Sequence, residues 1–426
     1  MIRPTRVAQF VAVSAAAALV LASCGSDNNN SSTGNTTTPT ESSTPPANAG
    51  PLVLGALLPQ SGDLAFLGPP QFAGVQLAVD DINAAGGVLG NQVKLVKADE
   101  GDGTPDVASG SADKLLNAGV SAVIGAAAST ITLAVIDKFV GAGVVEMSGS
   151  NTSPALDTYD DKGLYFRTAP SDALQGSVLG NLIVQDGFKN VAILARQDSY
   201  GEGLAKQLDT TLKDQGATVA ANELYSADAT NYTAEINKIA AAKPDALALI
   251  SFAEAKKIIP GLIAKGIGPQ DIQLYLVDGD TADYSKDFAP GTLAGTKATF
   301  PSTPEADPGF QKSLLKINPK LKDFTYAPQV YDAAVMIALA ATAAKDTSGE
   351  GIASQIIAVS KDGTKCTSYA DCVALLDQGE DIDYDGKSGP VDLNDSGSVS
   401  KATIGIQLYG KDNTYKQVDS VTGVLN

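Results

Sequence analysis

The chain has 426 residues, enough for two domains with cores of their own, and 48 Asp and Glu against 30 Lys and Arg give a formal net charge of -18. So acidic a surface repels nucleic acid and anionic headgroups, which makes both poor partner candidates. The sequence has no His and no Trp, so a Ser-His-Asp triad, a Cys-His pair and an imidazole zinc site are excluded, which lowers the case for an enzyme without closing it.

Arg3 and Arg6 precede an apolar run from Val7 to Ala22, and Ser23, Cys24 and Gly25 follow. A basic start, a short apolar stretch and small residues at a cut site read as a signal peptide over residues 1–23. Leu21-Ala22-Ser23-Cys24 resembles the bacterial lipobox, in which the Cys thiol is diacylated and becomes the new N-terminus; the alternative is an ordinary secretory peptide with an incidental Cys. Residues 24–50 are almost all Ser, Thr, Asn, Pro, Gly and Ala, a composition that buries no apolar surface and behaves as a tether. The expectation is an exported body on the outer face of the cytoplasmic membrane, attached through its lipid alone.

The body alternates strand and helix. Leu52–Leu58 is a continuous apolar run, as expected of a strand covered on both faces. Pro69–Ala85 carries Phe72, Val75, Val79 and Ile82 at helical spacing and ends at Gly86-Gly87. Strands are then predicted at 92–98, 120–125 and 144–147, with helices at 105–118 and 129–140 between them. After a break around Thr168–Asp172 come helices at 174–186, 201–215, 232–242 and 255–265, interleaved with strands at 191–195, 219–225, 246–250 and 273–277. Such alternation demands parallel strands joined by right-handed crossovers, hence an α/β chain with two open sheets, helices on both faces of each. Late helices at 328–345 and 352–360 and strands at 402–409 and 415–420 extend neither series simply, so the chain is expected to cross between two lobes more than once. Ligands of open α/β sheets bind beyond the carboxyl ends of the strands, which puts the site in the cleft.

Ser61-Gly-Asp-Leu-Ala-Phe-Leu-Gly68, Gly74 to Gly87, Val123 to Thr130, Met147 to Leu156 and Tyr200-Gly-Glu-Gly-Leu-Ala205 resemble, in order and spacing, the branched-chain amino-acid binding protein family over about residues 51–425. The resemblance implies the two-lobed type I periplasmic-binding-protein fold, with a hinge between the lobes. It implies lobe 1 at 51–169 with approximately 301–385, and lobe 2 at 170–300 with approximately 386–426. It also implies delivery of a solute to an ABC permease and ATPase by a monomer.

Ser129 and Thr130 open a helix after an apolar strand, where free N–H groups and the dipole attract a carboxylate; the plain reading is an N-cap. Ser150, Asn151 and Thr152 form a second strand-to-helix turn that resembles the family's other carboxylate clamp, and two such turns can converge on one anion. Tyr200 matches a position that covers the ligand, and Asp278 one that meets its ammonium, although an Asp before Gly also forms ordinary turns. Phe252 matches a family aromatic or packs in the core, and Phe66 and Leu67 are expected to wall the side-chain pocket. Ala128 and Phe252 depart from the family pattern, so the side-chain preference is not carried over. The expected solute is an amino acid, branched-chain or related; the alternative is an amide, urea or aromatic acid.

Cys366 and Cys372 lie six apart, which in an exported protein reads as a local disulfide; two free thiols are the alternative. Asp381-Ile-Asp-Tyr-Asp-Gly386 begins like a calcium loop, with Asp392 at the twelfth position. The closing residue is Asp rather than Glu and Pro390 breaks any exiting helix, so a turn near a crossover is the expectation, with no metal. No Gly-x-Ser-x-Gly elbow, phosphate loop or dinucleotide fingerprint is present. No cofactor and no catalysis are expected.

Overall fold

The computed structural model describes residues 49–101, 105–301 and 307–425. The leader, the tether and Cys24 lie outside the described residues. The first sheet is built from β1 (Val53–Leu58), β2 (Lys94–Asp99), β3 (Ala122–Gly125), β4 (Val145–Ser148) and β5 (Tyr165–Arg167) in the order β2-β1-β3-β4-β5. Every pairing in it is parallel. Helices α1 (Gly68–Ala84), α2 (Pro105–Asn117) and α3 (Ser129–Gly141) make the crossovers. The apolar run at the start of the body is buried because both faces of β1 are covered: Leu54, Leu57 and Leu58 have no exposed surface.

The break at Thr168–Asp172 is where the chain leaves this sheet. Ser171 caps α4 (Asp172–Gln185) by accepting the Ala173 N–H. Helix α4 packs on α5 (Ser199–Asp214) beside the second sheet. That sheet holds β6 (Asn190–Arg196), β7 (Thr218–Tyr225), β8 (Ala246–Ile250), β9 (Gln273–Leu276) and β10 (Lys297–Pro301), linked through α6 (Thr233–Ala242) and α7 (Ala255–Ala264). The chain then returns to the first sheet through α8 (Pro308–Ile317), α9 (Ala327–Ala344) and α10 (Gly349–Ile356). A small sheet follows, of β11 (Thr364–Cys366), β12 (Ile382–Gly386) and β13 (Gly389–Pro390), with α11 (Tyr369–Leu376) inserted. The chain ends on β14 (Lys401–Tyr409) and β15 (Tyr415–Val424), which join the second sheet antiparallel in the order β15-β14-β10-β9-β8-β6-β7. The protein is a two-lobed α/β molecule.

Helix α9 binds the late segment to the first lobe. It is apolar on every side, as a helix surrounded by protein must be. It is also long and apolar enough to cross a membrane, but 78% of it is buried inside the protein, against α1, β3 and β4. The contact with α1 depends on Gly74: a Cβ there would collide with the Ala327 carbonyl and come within 2.8 Å of a Val330 methyl.

Cys366 and Cys372 form a disulfide across the start of α11. The acidic run opens as a strand, and the expected turn comes after it. Residues 382–386 are strand β12, whose two-residue period sets Asp383 and Asp385 on one face, and Lys365 from β11 pairs with both at 3.0 Å. The turn comes next, where the Lys387 and Ser388 N–H groups donate to buried Asp332 at 2.8 and 2.7 Å.

Candidate functional site

Each strand that supplies the site does so just past its carboxyl end. After β3 come Ala126–Ala128 and the start of α3, and after β4 come Ser150–Ser153. After β6 comes Tyr200 on the first turn of α5, after β8 Phe252, and after β9 Asp278 and Gly279. Of these, Ala127–Ser129, Ser150–Thr152, Tyr200, Phe252, Asp278 and Gly279, together with Leu64, Leu67 and Tyr326, line a cavity of about 20 Å³ between the lobes, room for about one water. The lobes meet here. Thr130 Oγ1 and Ser199 Oγ lie 3.0 Å apart, and Ser153 Oγ donates to the Ser199 carbonyl at 2.8 Å.

On the first lobe, Ser129 does not cap its own helix. Ala128 is the N-cap residue and makes no side-chain cap. The Ser129 hydroxyl oxygen instead accepts the N–H groups of Thr152 and Ser153 at 3.3 and 3.2 Å, tying the second turn to the first. That leaves the first-turn amides of α3 and the Ser129 hydroxyl hydrogen as donors where the lobes meet. Ser150 Oγ donates to Gln71 Oε1 at 3.0 Å, and Thr152 Oγ1 to Asp172 Oδ2 at 2.8 Å. The Asn151 amide donates to Thr132 Oγ1 at 2.7 Å and accepts from the Tyr165 hydroxyl, so its polar atoms brace the turn although the residue lines the cavity.

The second lobe contributes a carboxylate. Asp278 is only 4% exposed and makes no ion pair among the described residues. It accepts three hydrogen bonds: Gln175 Nε2 at 2.8 Å and the Tyr200 hydroxyl at 2.6 Å on Oδ1, and the Tyr326 hydroxyl at 2.6 Å on Oδ2. Burial, and then the Asp278 charge, push both phenols well above the usual tyrosine range, so they stay protonated donors. Asp172 is fully buried nearby, and its Oδ1 has no hydrogen-bond partner. Burial first and the Asp278 charge second raise its carboxyl well above the usual range. Two buried carboxyls with four neutral side-chain donors, and no ion pair to either among the described residues, form a surface that a ligand's ammonium would complete.

Aromatic stacking fixes the remaining wall. The Phe252 and Tyr200 rings stack with centroids 5.3 Å apart, and the Arg196 guanidinium lies 3.6 Å from the centroid of the Phe252 ring. Arg196 is itself held by Asp198 and Glu254 at 2.5 and 2.6 Å. Of the residues singled out in the sequence, Leu67, Ser129, Ser150, Asn151, Thr152, Tyr200, Phe252 and Asp278 line this cavity, while Thr130 meets Ser199 of the other lobe and half-buried Phe66 packs in the adjoining core. Sequence reasoning missed Asp172, Gln175, Arg196 and Tyr326. The pair Asp172 and Gln175, three apart at the start of a helix that follows the interlobe break, was the available signal.

The sequence profile of the periplasmic binding protein family matches residues 51–372. The leucine-, isoleucine-, valine-, threonine- and alanine-binding protein of Pseudomonas aeruginosa is 31% identical over 264 residues, 59% of this chain and 66% of that protein. The match therefore spans slightly under two thirds of that relative. The Leu/Ile/Val-binding protein of Escherichia coli K12 is 34% identical over 168 residues, 39% of this chain and 44% of that one. Among solved structures, the branched-chain amino acid transporter substrate binding protein LivJ of Streptococcus pneumoniae, in complex with isoleucine, has a TM-score of 0.72 at 22% identity, covering 88% of this chain and all of that one. A benzoate-bound ABC-transporter solute binding protein of Rhodopseudomonas palustris has a TM-score of 0.71 at 18% identity, covering 88% of this chain and 98% of that one. At such identities the structural matches speak for the fold, that of type I periplasmic binding proteins.

Proposed function

We propose, from the premise that this chain belongs to the periplasmic binding protein family, that it is the extracytoplasmic receptor of an ABC importer and captures an amino acid, branched-chain or related, in the cleft between its lobes. The observation that carries this reading is Asp278, buried at the cleft with three neutral donors and no ion pair among the described residues, opposite the uncapped N-terminus of α3. A zwitterion answers both: its carboxylate takes the α3 amides and the Ser129 hydroxyl, and its ammonium takes Asp278 and Asp172. Leu64, Leu67 and Phe252 wall its side chain. The lobes, 51–169 with approximately 301–385 and 170–300 with approximately 386–426, open about the crossovers to admit it. The chain acts as a monomer, hands its solute to permease and ATPase subunits, and performs no catalysis.

A second reading keeps the receptor role and replaces the amino acid with an amide, urea or aromatic acid. The stacked Tyr200–Phe252 wall favours it, because a flat ring would continue the stack. A thermal-shift screen with amino acids, amides and aromatic acids decides between them. A ligand at about 100 times its Kd adds about 2.7 kcal/mol of apparent stability. Shifts with leucine, isoleucine or valine and none with benzoate are expected; the reverse pattern overturns the amino-acid reading.

Attachment is proposed through Cys24, acylated after removal of residues 1–23, with the tether leaving the body free to reorient. Cys24→Ala should release the protein from the membrane fraction or leave the precursor uncut. A processed variant that stays with the membrane contradicts the anchor.

A further inference from the structure

Two glutamates lie behind the α3 N-terminus, with 1% of each exposed. Glu100 follows β2, and its carboxylate accepts the Ala127 N–H at 2.5 Å on Oε2 and the Ala128 N–H at 3.1 Å on Oε1. Glu146, inside β4, accepts the Ala126 N–H at 3.2 Å on Oε1, while its Oε2 has no hydrogen-bond partner. Three successive amides of one turn are therefore held by two acids, and neither acid makes an ion pair among the described residues. The turn matters to both anion-binding segments. Ala127 and Ala128 line the cavity, and the Ala126 carbonyl accepts from Ser148 Oγ at 2.7 Å and from Asn151 Nδ2 at 3.3 Å.

Two adjacent buried carboxylates without a cation cannot both carry a full charge cheaply. Burial, opposed by the Ala127 and Ala128 amides and assisted by the Asp99 charge, pushes the Glu100 carboxyl up to about 8. Burial, and after the Ala126 amide the Glu100 charge, holds Glu146 well above the ordinary range. Besides Asp99, the titratable group that faces the pair is Tyr165 on β5, itself held protonated mainly by its burial. The nearby Arg167 is committed to Asp157.

We propose that Glu100 and Glu146 are positioning residues for the anion-binding turn, and that the proton they hold sets how tightly the α3 N-terminus grips a carboxylate. The proton comes from solvent and sits on a carboxylate oxygen of the pair; no other bond changes. With the proton in place, the turn presents its dipole to the ligand unopposed. When it leaves, a negative charge stands directly behind the Ala127 and Ala128 amides and repels the incoming carboxylate. Affinity therefore falls as pH rises through about 8, and binding near that pH takes up a proton. Asp172 acts with the opposite sign, since an arriving ammonium favours its ionised form and releases a proton.

This inference rests on the carboxylate reading of the α3 N-terminus, and its test separates the two. In ligand-free protein labelled with 15N-alanine, the amides of Ala126–Ala128 are followed from pH 6 to 9.5 in wild type, Glu100→Gln and Glu146→Gln. Wild-type shifts should titrate near pH 8 and flatten in Glu100→Gln; shifts that do not titrate, or titrate identically in the variant, overturn the proposal. Calorimetry at pH 8 in buffers of different ionisation enthalpy, with L-leucine as the probe, should show more proton uptake in wild type than in Glu100→Gln. Wild-type affinity should drop about fivefold from pH 6 to 9 if the bound carboxylate shifts the pair by about one unit, and the variant should lose most of that slope. Equal uptake and equal slopes overturn the coupling. If leucine binds neither protein, the amino-acid reading fails and benzoate takes its place in the same titration. If Glu100→Gln does not fold, Glu146→Gln carries both arms.

Discussion

The turns that end β3 and β4 offer the cavity hydroxyls and helix-terminal amides, whereas the loops that end β6, β8 and β9, with Tyr326 from the start of α9, offer one carboxylate among aromatic rings. The first wall is tied to itself: Ser129 holds the amides of Thr152 and Ser153, Asn151 braces Thr132 and Tyr165, and the glutamates hold the turn from behind. On the proposed reading its hold on a carboxylate is spread over many partial charges, none decisive alone. The second wall concentrates its charge in Asp278 and spends Gln175, Tyr200 and Tyr326 on keeping it in place. A distributed dipole tolerates loss of one member; a single buried charge does not.

Substitutions on the two walls should therefore differ in cost. Asp278→Asn keeps the shape and removes a charge-assisted bond worth roughly 1.5–3 kcal/mol, so affinity for L-leucine should fall about tenfold or more in a calorimetric titration. Unchanged affinity would move the ammonium off this wall. Tyr326→Phe removes one of three donors to Asp278 and should cost about fivefold, near the middle of the usual range for one hydrogen bond; an effect larger than that of Asp278→Asn would make the phenol itself the ligand contact. Thr152→Ala should cost least, about twofold by the same titration, because Ser129 still fixes its backbone amide and α3 still offers its own. A loss of tenfold there would show that the first wall too depends on one group.

The regular part of the fold was legible in the sequence because strands covered on both faces read as unbroken apolar runs, and the helices between them keep their period. Elements of two or three residues, β5, β11 and β13, carry no period to detect, and β10 and α8 flank residues 302–306, which lack an apolar pattern. The site was legible where a strand end meets a helix start, as at Ser129, Ser150–Thr152 and Tyr200. It was not legible where tertiary structure imports a group. Tyr326 and Gln175 arrive from segments that cross between lobes, and Arg196 acts through Phe252 rather than through the cavity. Glu146 sits in Val145-Glu-Met-Ser148, where the charge suggests a solvent-facing position, yet all four residues are buried. Its burial follows from the layers above and below β4, which a single strand does not announce. In the acidic run at 381–392 the expected turn is confined to 387–388, because strand pairing with β11 draws residues 382–386 out straight.

The division of labour between the walls is tested most directly by a pair of ligands that differ only in the ammonium. L-leucine and its deaminated analogue, 4-methylpentanoate, are titrated calorimetrically into wild-type protein and Asp278→Asn. Wild type should bind leucine at least tenfold more tightly than the deaminated acid, and Asp278→Asn should erase most of that preference while still accepting the acid. A wild-type protein that binds 4-methylpentanoate as tightly as leucine, or a variant that keeps the full preference, would contradict the assignment of carboxylate to the first wall and ammonium to the second.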